Sequence, residues 1–441
     1  MSYDAEPAAN RSAPSECAEP AGVSSQAWIT LLITTAIYTV NVADRFVFPT
    51  LLQSIKAEFS LSDTSVASLN LARGLVLMLF GVPAGMLADR FSRRHLLSIS
   101  AIIFSAMTAL SSLSTSLTSF VVARMGLGLG ESGCTPTSLT LIADRFPVSR
   151  RGVAMTIFTL GVSAGSFCGT AVTGSLCDLY GWRTTILIFG LGGLPLGLLA
   201  NFLIKEPARG KMDAMVAKID ANGGGLSATL IHIWRDKALL SIILGGSICC
   251  TWGWGLLWWT PAFLTRTYGL TNGDAGTLLG KLHLIGGAAA TIFAAFVIHW
   301  LSGRPVRVQI LSIAGIVTLA TAASMVAYTT KDLFVLTWCL WLFVPVLYMT
   351  TGPTFNLINN MAPTDIRATT VALFLLATSV GNFILAPMVI GYLSDLLVAA
   401  GQESLRHAMA MFAPLGLAGA LAYFAAGIAS RERKARNFDQ L

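Results

Sequence analysis

Charge is scarce in this chain. Of its 441 residues only 12% are Asp, Glu, Lys or Arg, against 54% hydrophobic, and a soluble globular domain carries roughly 25% charge. A soluble fold is therefore excluded. Histidine is scarcer still: the 5 residues His95, His232, His283, His299 and His407 stand on separate segments. No nucleophile-base pair or metal-ligand spacing accompanies them, so no enzyme, metal site or cofactor is expected. The 7 cysteines are odd in number, and Cys134, Cys168, Cys249, Cys250 and Cys339 fall in apolar segments. That excludes a disulfide framework and a zinc site.

What remains is an all-α polytopic membrane protein. Requiring about 20 apolar residues per span, the sequence divides into twelve transmembrane helices. Residues 1–26 read as a disordered tail, 27–204 as a six-helix bundle, 205–237 as a linker, 238–430 as a second six-helix bundle and 431–441 as a basic tail. The net charge of +7 is explained by topology rather than by nucleic acid, because Lys and Arg gather on one side of the spans. This side is the cytoplasmic one by the positive-inside rule. Both termini are thus expected in the cytoplasm, in a multi-pass protein of the cell (inner or plasma) membrane, and a monomer is expected. Pro147, Arg151, Phe158 and Gly165 match Pro363, Arg367, Phe374 and Gly381, all offset by 216 positions. The two halves read as a duplication, and such proteins place a substrate site at the interface near mid-membrane.

The fourth span contains Arg124 and Glu131. An ionised side chain at the bilayer centre costs roughly 2.5–3.5 kcal/mol on insertion scales, so both are expected to face protein or a watery cavity. Seven positions apart, they return to one helix face at about 100° per residue. Gly126, Gly128 and Gly130 between them predict close approach of a neighbouring helix. Counting about 1.5 Å per residue from the outer helix ends puts Asp44, Arg45, Arg73, Arg124 and Lys281 in one outer layer, with Glu131 roughly 10 Å deeper than Arg124. If these groups share a cavity, its cations outnumber its acids and its substrate is anionic.

After the second span, Gly85-Met-Leu-Ala-Asp89-Arg90-Phe-Ser-Arg93-Arg94 offers a glycine for close helix contact, an acid for a helix end and arginines within reach of Asp144. Gly85, Asp89, Arg90, Arg93 and Asp144 read as a conformational latch. GMLADRFSRR resembles the loop 2–3 signature of the major facilitator superfamily, and RMGLGLGE resembles its helix 4 signature. Asn41-Val-Ala-Asp44-Arg45-Phe46, Glu206-Pro-Ala-Arg-Gly210, Gly352-Pro353 and Arg367-Ala368 extend the resemblance, which is nearest to the bacterial Spinster-like branch. Anion-cation symporters share part of it.

The resemblance implies alternating-access transport, with Asp44, Glu131 and Arg124 in proton coupling. The second-half counterpart of the latch, His299-Trp-Leu-Ser-Gly303-Arg304, lacks the acid, so a symmetric pair of latches is not implied. Arg45, Arg124 and Lys281 are expected to attract an anionic group, Trp252 and Trp254 to stack on an aromatic or amphipathic ligand, and Tyr348 and Asn356 to line the cavity. Trp258 and Trp259 read either as part of a cavity-lining aromatic run or as interface-belt residues, the commoner role, and His283 reads as packing. The substrate is expected to be a small or lipid-like anion, moved together with protons across the lipid bilayer. A lysolipid or sphingolipid exporter is the alternative; it requires a largely apolar cavity, and a small-anion carrier a closed polar one.

Overall fold

The structure, a computed structural model, describes residues 23–206, 226–301, 303–363, 366–398 and 403–438, except the side chains of Asp89, Val148, His299, Ala368 and residues 431–438. Twelve long helices run through the described residues: α1 (Ser25–Phe59), α2 (Asp63–Arg90), α3 (Arg93–Ser112), α4 (Leu117–Arg145), α5 (148–180), α6 (182–203), α7 (Lys237–Tyr268), α8 (272–301), α9 (Val306–Thr329), α10 (Leu333–Met361), α11 (367–396) and α12 (404–438). Hydroxyl caps set the first four starts, since Ser24, Ser62, Ser92 and Ser116 each accept a backbone N–H of the first turn. Gly181 separates α5 from α6 at φ +76°, a left-handed conformation that costs glycine nothing.

Among the described residues ten stretches are long and apolar enough to cross a membrane, and one of them, Ser149–Leu203, contains both α5 and α6. The twelfth span is α4, whose length matches the rest and whose apolarity is lowered by Arg124 and Glu131. Part of the expected linker, residues 207–225, lies outside the described residues, as does the side chain of every residue in the basic tail. The linker ends in a short helix, Leu226–Arg235, with Leu230, Ile231 and Trp234 exposed. A helix with that apolar face suits the membrane surface.

Helices α1 to α6 pack among themselves, with α3 against α4 and α6, α2 against α4, and α1 against α5 and α6. In the second half α12 packs on α7 and α9, and α10 on α8 and α9. The sequence repeat has a physical counterpart. A β-carbon at Gly165 would strike the Thr39 carbonyl of α1, and one at Gly381 would strike Thr251 of α7; Phe158 stacks on Tyr38 of α1 at 4.3 Å, and Phe374 lies against Gly246 of α7. Equivalent helices thus meet through equivalent residues.

The end where α1 begins is the near end, and the end where it finishes is the far end. Towards the far end one hydrophobic core runs through both halves, joining Phe48, Leu51 and Leu69 to Leu256, Trp259 and Phe263. Two smaller clusters, built on Ile33, Ile37 and Leu97 and on Leu31, Ile142 and Phe158, belong to the first half alone.

Candidate functional site

Asp44 and Arg45 are neighbours, so about 100° separates their side chains around α1. One turns inward and the other outward. Asp44 points into the first half, accepts the Thr108 hydroxyl at 2.9 Å and lies 3.8 Å from Arg124 Nη1, with its Oδ2 accepting no hydrogen bond among the described residues. The Arg124 guanidinium sits over the Phe48 ring, 4.6 Å from its centroid. Glu131 is held elsewhere: Arg73 of α2 donates to it from Nε at 3.1 Å and from Nη2 at 2.8 and 2.6 Å. Both side chains are buried.

The two charges of α4 therefore share a face and not a partner. Glycine makes this possible. A β-carbon at Gly128 would meet the Arg73 carbonyl at 2.5 Å, and one at Gly130 would strike the Phe104 backbone. Stripped of side chains there, α4 lies directly between α2 and α3, close enough for its two charges to reach α1 and α2. The depth count had separated Arg73 from Glu131, but an arginine side chain spans about one helical turn, roughly 5.4 Å. Arg73 reaches down to Glu131.

A cavity of about 160 Å³ opens between the halves, walled by α1, α2, α5, α7 and α11. Tyr38, Val42, Arg45, Phe46 and Pro49 reach it from one face of α1, Asn70 and Arg73 from α2, Trp254, Leu257 and Trp258 from α7, and Asn382 and Phe383 from α11. The last two stand in a wide helical turn, Gly381–Leu385, one of three such turns among the described residues, with Cys168–Val172 in α5 and Leu282–Gly287 in α8. Wide turns of this kind concentrate at functional sites. Here Asn70 Nδ2 donates to the Phe383 carbonyl at 3.1 Å, tying α2 to α11 across the cavity.

Several expected contacts fall elsewhere. Lys281 is exposed on α8 and does not line the cavity. Trp252 is fully buried in the second half, edge-on to Phe343 at 5.0 Å, so no ligand reaches it. Asn356 lines a separate small crevice beside Ile298 and Met349. Tyr348 lies behind the wall: its hydroxyl meets His283 Nδ1 at 2.8 Å and Ser166 at 3.4 Å, and its ring meets Trp254 at 5.4 Å. Arg124 is screened from the cavity by its place beside Asp44. Trp258 is a wall residue, and Trp259 is buried with its N–H donated to the Pro387 carbonyl at 3.2 Å, so neither stands in an interface belt. Nine of the 13 wall residues are apolar or aromatic, where a small-anion site was expected to be polar.

At the near end Arg93 joins Asp144 at 2.5 Å and lies 3.6 Å from Glu206. Glu206 also accepts the Ser92 hydroxyl at 2.7 Å and the backbone N–H groups of Arg94 and Arg93 at 3.0 and 3.1 Å. Partial burial raises the Glu206 pKa, but the Arg94 N–H, the Ser92 hydroxyl, the Arg93 N–H and the Arg93 charge outweigh it and hold the carboxylate below its ordinary value. Of the other latch residues, Arg90 is exposed, a β-carbon at Gly85 would meet nothing, so no close contact requires that glycine, and the Asp89 side chain lies outside the described residues.

A stronger cluster ties the halves at the far end, and the sequence reading did not anticipate it. Asp63 accepts from Lys56 at 2.5 Å, from Arg266 at 2.6 and 2.7 Å and from Ser394 at 2.6 Å. Asp395 accepts the N–H groups of Asp63 and Thr64 at 2.9 and 2.8 Å, a carboxylate at the N-terminus of α2. Asp178 of α5 accepts the Gly273 N–H of α8 at 2.7 Å. In the sequence, Ser62-Asp63 reads only as a helix start.

The profile of the Major Facilitator Superfamily matches residues 34–386. An MFS-type efflux pump of Mycolicibacterium smegmatis is 26% identical over 406 residues, 91% of this chain and 92% of that one. The probable L-galactonate transporter of Escherichia coli is 25% identical over 269 residues, which span 59% of each chain. A bacterial homologue of the human lysosomal transporter Spinster, crystallised in an inward-facing and unoccupied conformation, has the same fold at a TM-score of 0.81 and 24% identity, over 93% of this chain and 99% of that one.

Proposed function

Because the chain belongs to the Major Facilitator Superfamily, and is thus a membrane transporter rather than an enzyme, we propose that it is a proton-coupled carrier of organic anions working by alternating access. One observation carries the reading. Of the cations grouped by the sequence, Arg124 stands against Asp44, Arg73 against Glu131, and Lys281 is outside the cavity. Arg45 alone faces the cavity with no carboxylate within salt-bridge distance among the described residues. A half-buried guanidinium without a counter-ion favours an anion. The probable L-galactonate transporter is named for a substrate of that class.

Asp44 is the carboxylate best suited to exchange protons. Protonating its unbonded Oδ2 gives up a 3.8 Å ion contact and leaves the Thr108 hydrogen bond to Oδ1, whereas protonating Glu131 breaks a bidentate pair. Arg124, between Asp44 and the Phe48 ring, holds the Asp44 charge and is one residue of α4 through which its protonation is felt. We take the near end as cytoplasmic, with both termini there, because the basic residues collect at it. The far-end cluster then closes the outer side, and the Arg93–Asp144–Glu206 group acts as the inner latch within the first half.

The test is uptake into proteoliposomes under an imposed pH gradient, with carboxylates, sugar acids and lysolipids as the panel. Gradient-driven accumulation of an organic anion is the expected result. Transport of lysolipid alone, indifferent to the gradient, would overturn the reading in favour of a lipid exporter.

A further inference from the structure

The charged and amide groups that α1 and α2 bring to the cavity wall are largely engaged. Arg73 gives its guanidinium to Glu131, Asn70 gives its amide to the Phe383 carbonyl, and Arg45 donates from Nη2 to Asn41 Oδ1 at 2.9 Å. Arg45 Nε is buried and donates to nothing among the described residues. With Arg73 neutralised, the wall carries one net positive charge. It can compensate one carboxylate and no more.

The rest of the wall is flat and apolar. Phe46 follows Arg45 on α1, and Trp254 of the second half stands edge-on to it with ring centroids 6.4 Å apart. Phe383 faces the same space. The volume of about 160 Å³ is close to the ~150 Å³ of a dry apolar cavity that takes up one benzene ring. Resting on the organic-anion reading above, we infer that this cavity selects aromatic monocarboxylates, with the carboxylate on Arg45 and the ring against the Phe46–Trp254 pair.

A six-carbon sugar diacid fits poorly on two counts. Its second carboxylate finds no free cation, and its hydroxyls would lose water against a wall of which nine of the 13 residues are apolar or aromatic. The ring proposed here touches one residue from each half, Phe46 and Trp254, so its binding also favours closure of the halves around it.

Calorimetric titration of the full chain in detergent with benzoate, benzamide, cyclohexanecarboxylate and galactarate tests this. Benzoate is expected to bind best, with cyclohexanecarboxylate about threefold weaker for want of edge-to-face ring contacts. Benzamide and galactarate are expected to be at least about tenfold weaker, for want of a single charge matched to Arg45. Arg45→Gln should bring benzoate down to the level of benzamide, and Arg45→Lys, which keeps the charge and guards against a folding failure, should preserve the preference for benzoate. Galactarate binding with benzoate silent overturns the inference and leaves the organic-anion reading standing, whereas benzamide binding as well as benzoate to the unaltered protein or to Arg45→Lys overturns both. Silence towards every carboxylate overturns both.

Discussion

Arg73 shows what a single residue can hide in a helical sequence. Helical spacing tells which residues share a face, but not which other helix lies opposite, and Glu131 is 58 positions away from Arg73. Arg124 and Glu131 were legible as buried charges on one side of α4; that they answer to two different helices was not. A buried pair broken on one side leaves an uncompensated charge, which costs about 3–5 kcal/mol. Arg73→Ala should destabilise the protein by about that amount in denaturant unfolding from detergent, and adding Glu131→Leu should recover most of the loss. Equal destabilisation by the single and double variants would show that the pair is not the cause. The Asp44-Arg45 neighbours were read correctly as polar residues within a span, and their separation into a core-facing acid and a cavity-facing base follows from the helical turn alone.

Among the elements, the long apolar helices were legible because apolar length is a property of the sequence itself. The latch was only half legible. Arg93 and Asp144 meet, whereas Gly85 and Arg90 add no observed contact and Glu206, from beyond α6, completes the group. Glu206 also gives this group a pH dependence. Its folded pKa lies below the ordinary value of 4.5, so its contribution is fully present above that value and is lost as the pH falls through the lowered one. The difference in thermal stability between the native protein and Glu206→Gln should therefore stay constant from about pH 7 to about pH 5 and shrink at lower pH. A difference that grew on acidification would contradict this assignment. At the far end, a side chain at Gly276 would strike the Thr170 carbonyl where α8 crosses the wide turn of α5. Gly276→Leu should hold α5 and α8 apart, seen as a longer spin-label distance between the exposed positions 179 and 274; an unchanged distance would mean that this contact does not set closure.

For the whole molecule, the two halves share a continuous core and a charged cluster towards the far end, while the clusters built on Ile33 and Leu31 stay within the first half. The duplication was visible in the sequence as four matched residues, because the same packing of α5 on α1 and of α11 on α7 demands the same small and aromatic residues. The far-end closure was not visible. Its members, Lys56, Asp63, Arg266, Ser394 and Asp395, come from separate helix ends, each of which reads as an ordinary cap or loop.

The central claim is that Asp44 exchanges the proton that drives an anion bound at Arg45. Proteoliposomes with Asp44→Asn, loaded with unlabelled organic anion or given a pH gradient, separate exchange from driven uptake. The account predicts that the variant retains counterflow and loses gradient-driven accumulation; accumulation at the native level in Asp44→Asn would contradict it.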